Sequence, residues 1–123
     1  MKNPLAERST MADDCIFCKI IRGQIPARTL YEDDDLLAFW DINPQAPKHF
    51  LVIPKKHISG PAAIAVPDEA LIGKILRKGA ELAQANGAGQ FRLVLNNGEQ
   101  AGQTVFHLHL HVLGGRPMQW PPG

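Results

Sequence analysis

All five histidines of the chain fall in two places. His107, His109 and His111 alternate with Leu108, Leu110 and Val112 in HLHLHVL, while His49 and His57 flank the short apolar run Phe50–Ile53. Side chains of a strand alternate between its faces, so the three histidines share one face and the aliphatic residues take the other, toward a core. Neighbours on that face stand roughly 7 Å apart. That row is too extended for three imidazoles to ligate one ion at bonds of about 2 Å. It suits a central imidazole with a neighbour on each side. A neutral imidazole is a nucleophile near pH 7, and its attack at phosphorus gives a phosphohistidine-type intermediate. No Asp or Glu lies within the triplet to orient the ring. A backbone carbonyl bonded to Nδ1–H could do so, leaving Nε2 free to attack. A purely structural row and a polyhistidine metal site are the competing readings.

The loop NNGEQAGQT runs from Asn96 to Thr104, just before the row. Gly98 and Gly102 let backbone N–H groups approach an anion, and Asn96, Asn97, Gln103 and Thr104 can donate hydrogen bonds. Taken alone it is a hairpin loop; beside the histidines it reads as a phosphate cradle. It is not a P-loop, because no GK[ST] follows. There is no carboxylate cluster suited to Mg²⁺, so the chemistry is not expected to require a divalent ion. Cys15 and Cys18 form one C-x-x-C, which by itself is compatible with redox, metal-binding or incidental use.

These residues must be positioned by the elements around them. At 123 residues the chain is one domain's worth of sequence. Hydrophobic residues make up 45% and charged residues 20%, which excludes a wholly disordered chain. A net charge of +1 excludes a strongly basic nucleic-acid module. No apolar run approaches the roughly 20 residues of a membrane span. The N-terminus has no apolar h-region, so a cytoplasmic location is expected, where two cysteines are thiols or metal ligands rather than a disulfide. Residues 1–14 read as a loose tail and 15–123 as the domain. Cys15–Arg22 suits a brief helix stopped by Gly23. Strands are expected at Thr29–Tyr31, Leu36–Asp41, Phe50–Ile53, Phe91–Leu95 and Phe106–Leu113, with the acidic run Glu32–Asp35 as a solvated turn. Pro67–Gly87 is the one long helix, with Leu71, Ile72, Ile75, Leu76, Leu82 and Ala83 as its core stripe. Strands around one helix, without steady βαβ alternation, indicate an α+β domain on a mostly antiparallel sheet.

HLHLHVL matches the HφHφHφφ signature of the histidine triad (HIT) superfamily. CIFCKIIRGQIP, YEDDDLLAFWDINPQAPKHFLVIPKKHIS, NGEQAGQTVFHLHLHVLGG and the ending RPMQWPPG resemble its Hint branch, over about Cys15–Gly123. The resemblance implies an antiparallel sheet of about five strands with one long and one short helix, dimerising into a continuous sheet. It implies a purine nucleoside phosphoramidase that converts adenosine 5′-phosphoramidates, such as AMP-lysine, to AMP and an amine through a nucleotidyl-histidine, with purine nucleotides (AMP, GMP) as ligands. The alternatives are a dinucleoside polyphosphate hydrolase or nucleotidyl transferase, and a non-catalytic nucleotide-binding regulator. Carried over by position, His109 is the nucleophile, His107 and His111 flank it, His49 supports the row, and Thr104 handles the leaving amine where the family often has Ser. Asn96, Gly102 and Gln103 would lie at the phosphate, and Asp41 at the ribose hydroxyls. Ile16, Phe17, Ile20, Phe39 and Ile42 would wall the base, and Trp120 would reach toward a partner subunit's site. Several bacterial-type members of the family that carry the cysteine pair bind zinc, which implies a candidate structural zinc site here at Cys15, Cys18, His57 and His107.

Overall fold

The structure is a computed structural model that describes residues 14–123; residues 1–13 of the expected tail lie outside the described residues. The chain forms α1 (Ile16–Ile21), β1 (Thr29–Glu32), β2 (Leu36–Trp40), β3 (Lys48–Pro54), α2 (Glu69–Ala85), β4 (Phe91–Val94) and β5 (Leu110–Gly114). Short 3-10 turns occupy Pro61–Ala63, Val66–Asp68 and Glu99–Ala101. The five strands make one sheet in the order β1-β2-β3-β5-β4, antiparallel throughout. This is the expected α+β architecture. No helix among the described residues is long and apolar enough to cross a membrane.

The apolar runs LLAFW and FLVI are continuous because β2 and β3 are buried on both faces. Leu36, Ala38, Phe50, Val52, Leu110 and Val112 pack with Ile75 and Ala83 of α2. Leu37, Phe39, Leu51 and Ile53 point the other way and pack with Cys15, Phe17 and Cys18 at α1. The alternation thus sorts each strand between a helix-covered face and a face covered by α1. The histidines lie on the second face.

Three expectations need correction. The last strand begins at Leu110, not Phe106. The paired register of β5 starts at Leu110, opposite Val52 of β3, and at His111, opposite Val94 of β4. Leu108 N–H instead donates to the carbonyl of Ile58 at 2.6 Å. The alternation of faces survives, since Leu108 is fully buried in the α2 core. His49 lies inside β3, paired with Leu113, rather than flanking the strand. Leu76 is 37% exposed and does not belong to the helix's core stripe. The line of closest approach runs through Ile75, Gly79 and Ala83 at i, i+4 and i+8, which turns Leu76 to the flank. A Cβ at Gly79 would stand 3.0 Å from Leu110 Cδ2 and 3.2 Å from Val112 Cγ2, so glycine is what lets α2 lie this close to β5.

Candidate active site

Hydrogen bonds fix the tautomer of each histidine in the row, because a carbonyl can only accept. His109 Nδ1–H donates to the carbonyl of His107 at 2.7 Å. Its Nε2 therefore carries the lone pair. The backbone carbonyl expected to orient the central ring is thus supplied by the first histidine of the triplet. Phe17 meets the His109 ring edge-on, with centroids 5.1 Å apart. Burial lowers the pKa of His109, which keeps the ring neutral at pH 7.

His111 is set by a second chain of bonds. The backbone N–H of Gln45 donates to His49 Nδ1 at 3.0 Å. His49 Nε2 then holds the proton and donates to His111 Nδ1 at 3.0 Å. His111 in turn carries its proton on Nε2. Asp41 Oδ2 lies 3.4 Å from His49 Nε2. Burial lowers His49 while Asp41 opposes the shift. Burial, with the neighbouring His109 and His49, pushes His111 down to about 4. Asp41, His49 and His111 lie close enough for a metal site. The proton that the Gln45 amide forces onto His49 Nε2 points into that group, so it is a hydrogen-bonded triad rather than a ligand set.

His107 faces elsewhere. It is fully buried, and its Nε2–H donates to the carbonyl of Pro54 at 2.8 Å. Nδ1 therefore presents a lone pair to Cys15 Sγ at 3.4 Å, Cys18 Sγ at 3.5 Å and His57 Nδ1 at 3.2 Å. Cys18 Sγ is 3.3 Å from His57 Nδ1. Four soft and borderline donors thus converge from α1, the segment after β3 and the histidine row. Tetrahedral zinc at its usual bond lengths separates such donors by roughly 3.3–3.8 Å. The four residues fit that ion in donor type, number and spacing. Burial, then the neighbouring His57 and His109, pushes His107 down to about 4, which leaves the ring neutral and able to ligate.

His109 and His111 open onto a cleft of about 360 Å³. That lies in the size range of small-ligand sites. Its walls include Ile16, Phe17, Ile20, Phe39, Asp41, Ile42 and Thr104, all expected from the sequence. The sequence reading missed Ile25, Pro26, Ala27, Trp40, Leu51 and Val105, which complete the walls. For Leu51 the signal was available, since it alternates with core-facing Phe50 and Val52; the 25–27 turn gave none. Ile42 is fully exposed at the rim. A second cleft of about 330 Å³ is lined by Asp14, Cys15, Ile16, His57, Thr104, Val105 and Phe106. Ile16, Thr104 and Val105 line both clefts.

The expected phosphate cradle is only partly brought to the cleft. Thr104 lines it; Asn96, Gly102 and Gln103 do not. Gln103 is buried, with Nε2 donating to the carbonyls of Ser59 and Val105 at 2.7 and 3.1 Å. Its Oε1 accepts from Gly98 N–H at 2.8 Å. These bonds turn the Gln103 amide inward, where it braces the loop. Asn97 does the same, accepting from Ala62 N–H at 2.8 Å. Gly102 has φ 97°, with Asn96 Nδ2 beside it, and forms the turn of the loop. Trp120 is 82% exposed and lines none of the cleft.

Residues 14–120 match the family model described as scavenger mRNA decapping enzyme C-term binding. An uncharacterised HIT-like protein of Synechocystis is 60% identical over 114 residues, which covers 92% of this chain and all of that protein. The crystal structure of a HIT family hydrolase from Legionella pneumophila superposes with a TM-score of 0.86 at 51% identity, covering 89% of this chain and 99% of the other. A histidine triad protein from Clostridium difficile gives a TM-score of 0.82 at 39% identity, covering 97% of each chain.

Proposed function

We propose that this chain, which belongs to the histidine triad superfamily, is a purine nucleoside phosphoramidase of the Hint type. The observation that carries the reading is the His109 ring, neutral by burial and locked by the His107 carbonyl with its Nε2 lone pair free. In the proposed reaction Nε2 attacks the α-phosphorus as the P–N bond to the leaving amine breaks. The charge that develops on the His109 ring is met by the carbonyl at Nδ1–H. His111 Nε2–H donates to a non-bridging oxygen, whose charge grows in the transition state. Thr104, on the wall common to both clefts, would pass a proton to the departing amine. Water then attacks phosphorus and returns a proton to Thr104 as the P–Nε2 bond breaks, which releases the nucleoside 5′-monophosphate and restores neutral His109. Asp41 would accept from the ribose hydroxyls, and the apolar walls would hold the purine.

Cys15, Cys18, His57 and His107 would hold a structural zinc ion that fixes His107, and with it the carbonyl that orients the nucleophile. Trp120 and the homodimer stand in the same proposal, with the partner subunit approached by the exposed tail.

The family model's decapping description favours a second reading, hydrolysis of pyrophosphate-linked nucleotides by the same nucleophile. Comparing AMP release from an adenosine 5′-phosphoramidate and from a diadenosine polyphosphate separates the two. The phosphoramidase reading expects the first to be much the better substrate. Preference for the second would transfer the assignment, and AMP binding without turnover of either would make the protein a nucleotide-binding regulator.

A further inference from the structure

Beyond the cleft, the segment after β5 reaches back to the loop that joins β2 to β3. Arg116 donates from Nε and Nη2 to the carbonyl of Gln45, at 3.3 and 3.0 Å, and from Nη1 to the carbonyl of Pro117 at 3.0 Å. The approach is close: Gly115 has φ 91°, and a Cβ there would stand 3.0 Å from Pro47 Cβ. Arg92 of β4 anchors the same tail further on, donating to the carbonyl of Gln119 at 2.9 Å. Within the loop, Asn43 N–H donates to Asp41 Oδ1 at 2.8 Å, and Gln45 Nε2 donates to the carbonyl of Asn43 at 3.0 Å.

Gln45 therefore stands between two ties. Its carbonyl is gripped by Arg116, and its N–H donates to His49 Nδ1. That N–H decides two tautomers at once. With it in place, His49 must donate from Nε2 to His111 Nδ1, and His111 must present Nε2–H. If the amide moved away, His49 could place its proton on Nδ1. His111 would then turn a proton toward His49 and a lone pair toward the cleft. A lone pair facing a phosphoryl oxygen repels the charge that the proton would stabilise.

We propose that Arg116 is a positioning residue for the reaction: by holding Gln45 it fixes the proton that His111 presents to the phosphoryl group. This rests on the roles given above to His109 and His111. The side chain is exposed, as is Gln45, so its hydrogen bonds contribute little to global stability. Its effect lies in where one backbone amide sits.

The test compares wild type, Arg116→Gln and Arg116→Lys, each labelled with ¹⁵N-histidine. Proton–nitrogen correlation reads the His49 and His111 tautomers in the free protein. Steady-state kinetics with an adenosine 5′-phosphoramidate reads kcat and KM. The expected result for Arg116→Gln is a shift of His49 from a single Nε2–H form to a mixture. Its kcat falls about fivefold, the scale of one hydrogen bond, with KM unchanged and the melting temperature held. Arg116→Lys, which keeps a donor, falls between. An unaltered His49 pattern in Arg116→Gln overturns the proposal, and so does an altered pattern with unchanged kcat. Wild type that fails to turn over the substrate would refute the functional reading separately, because the tautomer arm reads the Arg116–His49 linkage without any substrate.

Discussion

Acidification should destabilise this protein well above the pH at which its carboxylates protonate. His107 and His111 are both held neutral, with pKa values pushed from 6.5 down to about 4. Between those limits the unfolded chain binds protons that the folded chain refuses. The stability they support is complete above pH 6.5 and drains away as pH falls toward 4. At pH 5 the loss is about 2 kcal/mol for each ring, or about 4 kcal/mol for the pair. His49, His57 and His109 are lowered by burial too, in the same direction. The lowered carboxylates Asp33, Asp68 and Glu81 act in the opposite range, losing their contribution only below the ordinary carboxylate pKa near 4. They leave the window from pH 7.5 to 5 to the histidines. For a domain of this size the loss corresponds to a fall of roughly 15 °C in melting temperature. The assay is thermal melting from pH 7.5 to 5 in chelator, so that metal does not compete with protons at His107, beside a His111→Asn variant. The variant should show a visibly shallower pH dependence than wild type. A melting temperature that stays flat over this range would refute the reasoning, as would a variant with the wild-type slope.

Zinc should bind at one ion per chain, and Cys18→Ser should abolish stoichiometric binding in a metal titration read by elemental analysis. Stripping the metal from wild type should lower the melting temperature by roughly 10 °C or more, since a ligand at a thousand times its Kd contributes about 4 kcal/mol; an unchanged melt would refute a structural ion. Gly79→Val should destabilise by about 2 kcal/mol in a urea titration. The added methyl groups meet Leu110 and Val112 where a Cβ alone is already at 3.0 and 3.2 Å. A neutral or stabilising outcome would show that α2 can lift off β5 without cost.

Much of this site was readable in the residues because alternation survives where hydrogen bonding does not. HLHLHVL sorts its histidines from its aliphatics even though only Leu110 onward joins the ladder. Leu108 is held instead by one bond to Ile58, a long-range partner that no local pattern reveals. The C-x-x-C pair was legible as a candidate ligand set, but its meeting with His57 and His107 depends on the segment after β3 folding back beneath α1. The loop 96–104 misled for the opposite reason. Its polar residues look available for a phosphate, yet Gln103 and Asn97 satisfy backbone groups of residues 59–62, whose donors and acceptors the sequence does not display. The stripe on α2 was over-read at Leu76, since apolar spacing marks a face but not the line of contact, which here runs through a glycine. The Gln45 amide escaped notice altogether, because every residue except proline carries one.

In the proposed reaction His109 Nε2 becomes covalently bonded to phosphorus. The most direct test of that bond is rapid acid-free quenching of the protein during turnover of an adenosine 5′-phosphoramidate, followed by peptide mass spectrometry. One adenylyl group is expected on the peptide that contains His109, absent from His109→Ala, which should still bind AMP. Turnover that continues in the folded His109→Ala variant, or an adenylyl group found on another residue, would contradict it.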